Sequence, residues 1–333
     1  MAADKKVLMA MFMKMQEDVL KFIPENERPD VTDLVGFGSQ QFLNPKVTEC
    51  KGYRFPPPFS AETVEWQYDN WTPTDKDVLV ASYPKTGTTW TTQIVKSVIY
   101  KDDENMMALM KVITPNISYL ESGTPKNYDI MLKLPWKRKI WGTHLPAPLI
   151  NMERLKKNRC KIIYVMRNPK DQVVSWFNMN KNMPFNKTEE MAKHFPAEWN
   201  AFFETLVNGK QPVHSKEGEW YPDHILSWYP YRNDDNVLFL MYEEMKKDPA
   251  KEIKKIADFL GVKRSDEEIG ELVEATSFQS MKKEASKPMS QMSFFRKGKV
   301  ADWKNQLTVA QSELMDEKFN EKLSGIDIKF TYE

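Results

Sequence analysis

The chain has 333 residues, 41% of them hydrophobic and 29% charged, with 48 basic against 47 acidic side chains. That length and apolar content suit one large α/β domain or two modest ones, and a net charge of +1 gives no global basic footprint for nucleic acid. Two cysteines, Cys50 and Cys160, make neither a disulfide framework nor a metal cluster and point to inert thiols in a reducing compartment.

No apolar run reaches the ~18 residues a membrane span needs. Val7–Met13 follows two lysines but stops at Lys14 and lacks a small-residue cleavage site, unlike a signal peptide. Apolar residues at 7, 8, 11, 12, 15, 19, 22 and 23 have helical spacing and predict an amphipathic helix packed on the domain or on a partner. Residues 24–60, ending in Phe55-Pro56-Pro57-Pro58-Phe59, read as an extended connector rather than a core element. Val78-Leu79-Val80-Ala81-Ser82 is a buried strand. Next comes the loop Tyr83-Pro84-Lys85-Thr86-Gly87-Thr88-Thr89-Trp90, then a helix from Thr88 with Trp90, Ile94, Val95, Val98 and Ile99 on one face.

Strand, glycine- and lysine-bearing loop and helix start together suit a phosphate. The loop is no nucleoside-triphosphate motif of the G-x-x-x-x-G-K-[ST] type, because its lysine precedes its only glycine. On its own it could equally be an ordinary turn with a solvated lysine.

Further strands are expected at Lys139-Ile140-Trp141, ending at Thr143-His144, at Lys161–Met166 and at Val237–Tyr242, with a helix from Asp171 after the second. Asp248, Pro249 and Gly261 punctuate one later helix, and Ser265-Asp266-Glu267-Glu268 is a capping box for the next. The segments 101–137 and 178–222 are expected to form lids or substrate loops. Continuous apolar strands alternating with helices imply a central parallel sheet flanked by helices, with ligands at the carboxyl ends of the strands.

Among four histidines, His144, His194, His214 and His224, only His144 falls at such a strand end. With an ordinary pKa near ~6.5 it could take a proton from a hydroxyl, or it could be a capping or core residue. The other three are expected on the surface. Arg167, in Arg167-Asn168-Pro169-Lys170-Asp171, could meet a phosphate or pair with Asp171. Ser175 could join it or be a plain helix-surface residue. Core packing is the ordinary fate of Trp90 and Phe278. Arg296-Lys297-Gly298-Lys299-Val300-Ala301-Asp302-Trp303 could clamp an anion or be a solvated basic loop.

Taken together, these segments resemble the cytosolic sulfotransferases. The first loop is similar to their Y-P-K-[ST]-G-T-[TS]-W, and Arg296–Trp303 to R-K-G-x-x-G-D-W, with Ala301 in place of a glycine. Thr143-His144-Leu145-Pro146 resembles K-T-H-L-P, with Gly142 replacing a lysine used near the transferring group. Arg167–Ser175 resembles R-N-x-K-D-x-x-x-S, Tyr242-Glu243-Glu244-Met245 resembles Y-E-[DE]-[ML], and Thr276-Ser277-Phe278 resembles T-S-F. Lys304, Thr308, Val309 and Glu313 fit the dimer motif K-x-x-x-T-V-x-x-x-E.

The resemblance implies a nucleotide-kinase-like sulfotransferase fold over residues 46–333, preceded by an extension over 1–45. It implies transfer of a sulfonyl group from 3′-phosphoadenosine 5′-phosphosulfate, without a metal, to a hydroxyl or amine of a small lipophilic phenol, steroid or alcohol. His144 would be the base, Lys85 would act on the leaving oxygen, and Ser175 would complete the catalytic set. Thr86, Gly87, Thr88, Thr89, Trp90, Arg167, Ser175, Tyr242, Thr276, Phe278, Phe295, Arg296, Lys297 and Gly298 would hold the nucleotide. Tyr119, Thr143 and Met179, with the loops at 176–179 and 289–295, would meet the acceptor. The resemblance also implies a cytoplasmic homodimer.

Overall fold

In the computed structural model, residues 14, 17–29, 45–113, 118–284 and 298–333 are described. Among the early residues, 17–20 are helical, and Val19, Leu20 and Ile23 are buried in the main core. The rest of the expected N-terminal helix lies outside the described residues. The segment read as a connector contains a hairpin, β1 (Thr48–Cys50) and β2 (Tyr53–Phe55), paired antiparallel. Its turn residues Lys51 and Gly52 have φ of 52° and 80°, the left-handed pair that a tight two-residue hairpin turn requires. Cys50 and Phe55 are core residues. The Pro-rich run after Phe55 masked strands only three residues long.

The main sheet contains β3 (Val78–Ser82), β4 (Ile140–Thr143), β5 (Lys161–Met166) and β6 (Val237–Met241). All neighbours are parallel, in the order β4-β3-β5-β6. Every residue of β3 and β4 is buried, and β5 is buried after Lys161. Helices over both faces leave no solvated side, so the strands read as apolar runs instead of alternating.

The register aligns Ala81 with Thr143, Ser82 with Val165, and Met166 with Met241. The chain leaves β3 toward β4 on one side, then crosses back so that β5 lies on the other. A sheet whose connections diverge in this way opens a crevice beyond the carboxyl ends of the two central strands. Tyr83, His144, Arg167 and Tyr242 are the residues that follow the four strand ends.

The segments expected to be lids or loops are largely helical: Glu104–Val112, Lys126–Lys133, Glu189–His194 and Trp199–Val207. Leu109, Ile130, Met131, Phe202 and Leu206 on these helices are buried, so their spacing serves the core. Asp248 caps the helix Pro249–Phe259 by accepting from the Lys251 amide, and Ser265 and Glu268 complete the next capping box. Both cysteines are buried and free, and burial pushes the Cys50 thiol up to about 11. Among the described residues, no helix is long and apolar enough to cross a membrane.

Ile163 sits at the middle of β5, fully buried and paired on both sides. Ile163→Ala is expected to lower unfolding free energy by roughly 2–5 kcal/mol in urea titrations. Leu132→Ala, at a side chain 64% exposed, should stay within about 0.5 kcal/mol of the parent.

Candidate active site

The loop after β3 turns through two left-handed residues, Lys85 (φ 70°) and Gly87 (φ 118°). The Thr86 hydroxyl donates to the Tyr83 carbonyl at 2.7 Å and faces that of Val165 at 3.1 Å. It is spent on holding the loop to β5 rather than on an incoming anion. The Thr88 and Ser82 hydroxyls are hydrogen-bonded to each other. Thr89 is half-buried, and Gly87 supplies no side-chain cap to the helix Thr88–Tyr100. A Cβ on Gly87 would come within 3.0 Å of Tyr242 Cδ2, so the backbone packs directly against that ring.

Trp90 meets Tyr242 edge-on at 5.4 Å and donates its indole N–H to the Thr276 carbonyl at 2.9 Å. Gly298 lies against Phe278, where a Cβ would stand 2.4 Å from the ring. Trp90, Tyr242 and Thr276 are thus brought together, with Phe278 two residues beyond Thr276. Phe295, Arg296 and Lys297 lie outside the described residues, as does the expected acceptor loop 289–295.

Arg167 follows β5 and stacks over Tyr242 at 4.4 Å. Its guanidinium donates to the Lys299 carbonyl at 3.2 Å and reaches that of Lys85 at 3.5 Å. Its Nε is buried without a hydrogen-bond partner. The alternative partner, Asp171, is 3.6 Å away and is occupied elsewhere. Its carboxylate accepts the backbone amides of Ala301 at 2.9 Å and Trp303 at 3.0 Å and the Asn168 side-chain amide at 3.1 Å. This ties the C-terminal loop to the start of the helix Pro169–Asn182. Ala301 takes φ 65°, so the turn that usually holds glycine is kept, at a cost of roughly 1–2 kcal/mol of steric strain. Ser175 and Met179 are half-buried farther along the same helix.

His144 donates from Nδ1 to the Ser82 carbonyl at 2.8 Å. This fixes the tautomer and leaves a lone pair on Nε2. Burial, with a smaller contribution from the charge of Lys85, pushes its pKa down to about 4. The segment is held from behind by Glu121, which accepts the His144 amide at 2.7 Å and the Thr143 hydroxyl at 2.8 Å. Thr143 is therefore a buried support, and its hydroxyl is not offered to an acceptor. Burial pushes Glu121 up to about 7.

Two histidines expected on the surface are packed around this point. His224, 4% exposed, donates from Nε2 to the His144 carbonyl at 3.2 Å and accepts from the Tyr164 hydroxyl at 2.8 Å. His214, 2% exposed, has neither ring nitrogen hydrogen-bonded, and its Nε2 lies 3.8 Å from Glu121. Its ring centroid is 4.6 Å from Phe59 and 5.7 Å from His144, and burial holds its pKa well below the ordinary value. His224 was detectable, because Tyr221, His224, Ile225 and Trp228 share the buried face of the helix Tyr221–Trp228. No local pattern marks Glu121 or His214. His194 ends the helix Glu189–His194, half-buried. Tyr119 is buried and stands edge-on to His144 at 5.1 Å.

These groups fit an anionic nucleotide. A glycine cradle, an arginine with an unspent buried donor and an aromatic shelf converge on one sheet edge, while a neutral imidazole faces the same edge. Among the described residues, no group of histidine, cysteine and carboxylate side chains could hold a metal.

The family model for the sulfotransferase domain matches residues 75–327. Rat sulfotransferase 1C2 is 34% identical over 297 residues, covering 83% of this chain and 93% of that protein. Mouse sulfotransferase 1A1 is 36% identical over 290 residues, covering 82% and 92%. The crystal structure of mouse sulfotransferase SULT7A1 complexed with PAP superposes with a TM-score of 0.66 at 32% identity, covering 84% of this chain and 95% of that one.

Glu121 keeps a proton in the folded state that the unfolded chain releases near ~4.3, so its stabilising contribution is lost as pH rises through about 7. The depressed histidines oppose this, because the unfolded chain still binds protons on them near their ordinary ~6.5, and they do so equally in parent and variant. The stability of the parent relative to Glu121→Gln, read from urea midpoints, should therefore fall by roughly 1 kcal/mol between pH 6.5 and 8.5.

Proposed function

This chain belongs to the sulfotransferase family, and from that premise we propose that it sulfonates a hydroxyl or amine on a small lipophilic phenol, steroid or alcohol, with His144 as general base. The observation that carries the reading is the His144 tautomer. With Nδ1 given to Ser82, Nε2 is a ready proton acceptor beside the lysine-bearing loop.

The donor, 3′-phosphoadenosine 5′-phosphosulfate, supplies an activated sulfonyl group and a phosphate leaving group. His144 takes the acceptor's proton at Nε2, and a base already neutral at pH 7 needs no prior deprotonation. Lys85 balances charge developing at the leaving oxygen, and the start of the helix Thr88–Tyr100, with Thr89, faces the 5′ end. Arg167 has the unspent donor for the 3′-phosphate, joined by Ser175, Arg296 and Lys297. Trp90, Tyr242, Thr276, Phe278, Phe295 and Gly298 enclose the base. The acceptor meets Phe59, Tyr119 and Met179. Such a site requires no metal, because lysine and arginine provide the charge.

The assembly we propose is a homodimer in a reducing, cytoplasmic compartment. Thr308 also caps its own helix by accepting from the Gln311 amide. Val309, 75% exposed, and the exposed Glu313 and Leu314 stand on the same helix, Val309–Leu323. Val309→Glu is expected to convert a small two-fold dimer into monomers in sedimentation. A parent protein that is already monomeric at micromolar concentration would refute the dimer.

The reaction is tested by presenting labelled sulfonyl donor with phenols, steroids, aliphatic alcohols and amines. His144→Ala should lose turnover by ~10²–10⁴-fold with nucleotide affinity retained, whereas Lys85→Ala should lose both. For the parent, kcat/KM for the nucleotide should be level from pH 8 down to 5.5. It should then decline toward about 4 as His144 gains its proton. A decline already centred near the ordinary histidine value would show that the base lies elsewhere.

A further inference from the structure

Gly142 has an occupied neighbour. A Cβ at this position would stand 2.3 Å from Tyr119 Cε1 and 2.5 Å from Cδ1. Tyr119 is bridged to Gly142 as a short parallel extension of β4, and the Leu120 amide donates to the Gly142 carbonyl at 3.0 Å. The ring therefore fills the space into which a residue-142 side chain would grow. At its other end the phenol interacts with the Thr88 side chain, whose hydroxyl is bonded to Ser82. Its ring stands edge-on to His144. One tyrosine thus spans the interval between the base and the loop, with its hydroxyl at the first residue of the loop helix.

We propose that Tyr119 is a catalytic residue of this chain, its hydroxyl donating a hydrogen bond to the sulfonyl group in transfer and taking the place of the cation absent at Gly142. The proposal rests on the sulfotransferase reading. If Ser82 donates to Thr88 and Thr88 to the phenol oxygen, the phenolic proton is the one donor of the chain left for an outside oxygen. In the step it serves, the acceptor oxygen forms a bond to sulfur and its proton passes to His144 Nε2. The bond from sulfur to the bridging oxygen breaks, and that electron pair stays on the 5′-phosphate. Tyr119 keeps its proton throughout, its acidity suppressed by burial, and steadies the equatorial oxygens as an oxyanion-hole donor does.

Tyr119→Phe keeps the ring against Gly142 and removes only the hydroxyl. Its kcat is expected to fall by ~10²-fold, the scale of losing one such donor, while calorimetry shows unchanged affinity for 3′-phosphoadenosine 5′-phosphate. Orthovanadate, which presents trigonal equatorial oxygens, should bind the variant–nucleotide complex more weakly than the parent complex.

Gly142→Lys should lower thermal stability in the parent but not in Tyr119→Ala, and the double variant should regain kcat relative to Tyr119→Ala. Parental kcat and vanadate affinity in Tyr119→Phe would overturn the proposal. So would a loss confined to acceptor KM, which makes Tyr119 a pocket wall. A parent that transfers no sulfonyl group to any acceptor overturns the enzymatic reading and this role with it, whereas an active parent matched by Tyr119→Phe overturns this role alone.

Discussion

The pairing of β3 with a parallel neighbour on each side is the constraint from which the site follows. Because β4 and β5 flank the same strand, the residues that leave their carboxyl ends must share one edge. The phosphate-type loop, His144 and Arg167 therefore converge without any long connection bringing them there. Two small bonds keep the edge rigid: the Thr86 hydroxyl ties the loop to β5, and the His144 ring ties the end of β4 to the last residue of β3.

Behind that edge the protein accepts a cost in stability. Glu121, His214 and His224 are buried ionisable groups where leucines would fold more firmly. Their arrangement keeps the imidazole neutral and its segment fixed, a trade of stability for a prepared site. Asp171 performs a similar service for the nucleotide edge. With the Ala301 and Trp303 amides on its oxygens, it holds the C-terminal loop beside Arg167 and leaves that arginine incompletely paired. An arginine fully matched to Asp171 would be a poorer receptor for phosphate.

The sequence was legible where local pattern and tertiary role coincide. Val78–Ser82 and Lys161–Met166 are buried on both faces, so their apolar runs announce strands, and the caps at Asp248 and Ser265 announce helix starts. Position at a strand end singled out His144. Reading failed where the reason for a residue lies far along the chain. The hairpin at 48–55 is too short to show a period, and the helices within 101–137 and 178–222 are only six to nine residues long, too short for a helical repeat to stand out. Glu121 and His214 meet across more than ninety positions, so nothing near either residue betrays the pairing. Gly142 looked like a missing cation because only the fold shows that Tyr119 stands there.

The packing of Tyr119 on Gly142 also makes the order of change matter. A side chain added at position 142 must displace the ring, and shrinking the ring first leaves an empty space beside the reacting edge. Each single step passes through a poorer protein even where both end states are sound. On this packing the two positions should change together, so that position 142 read alone is half of a character.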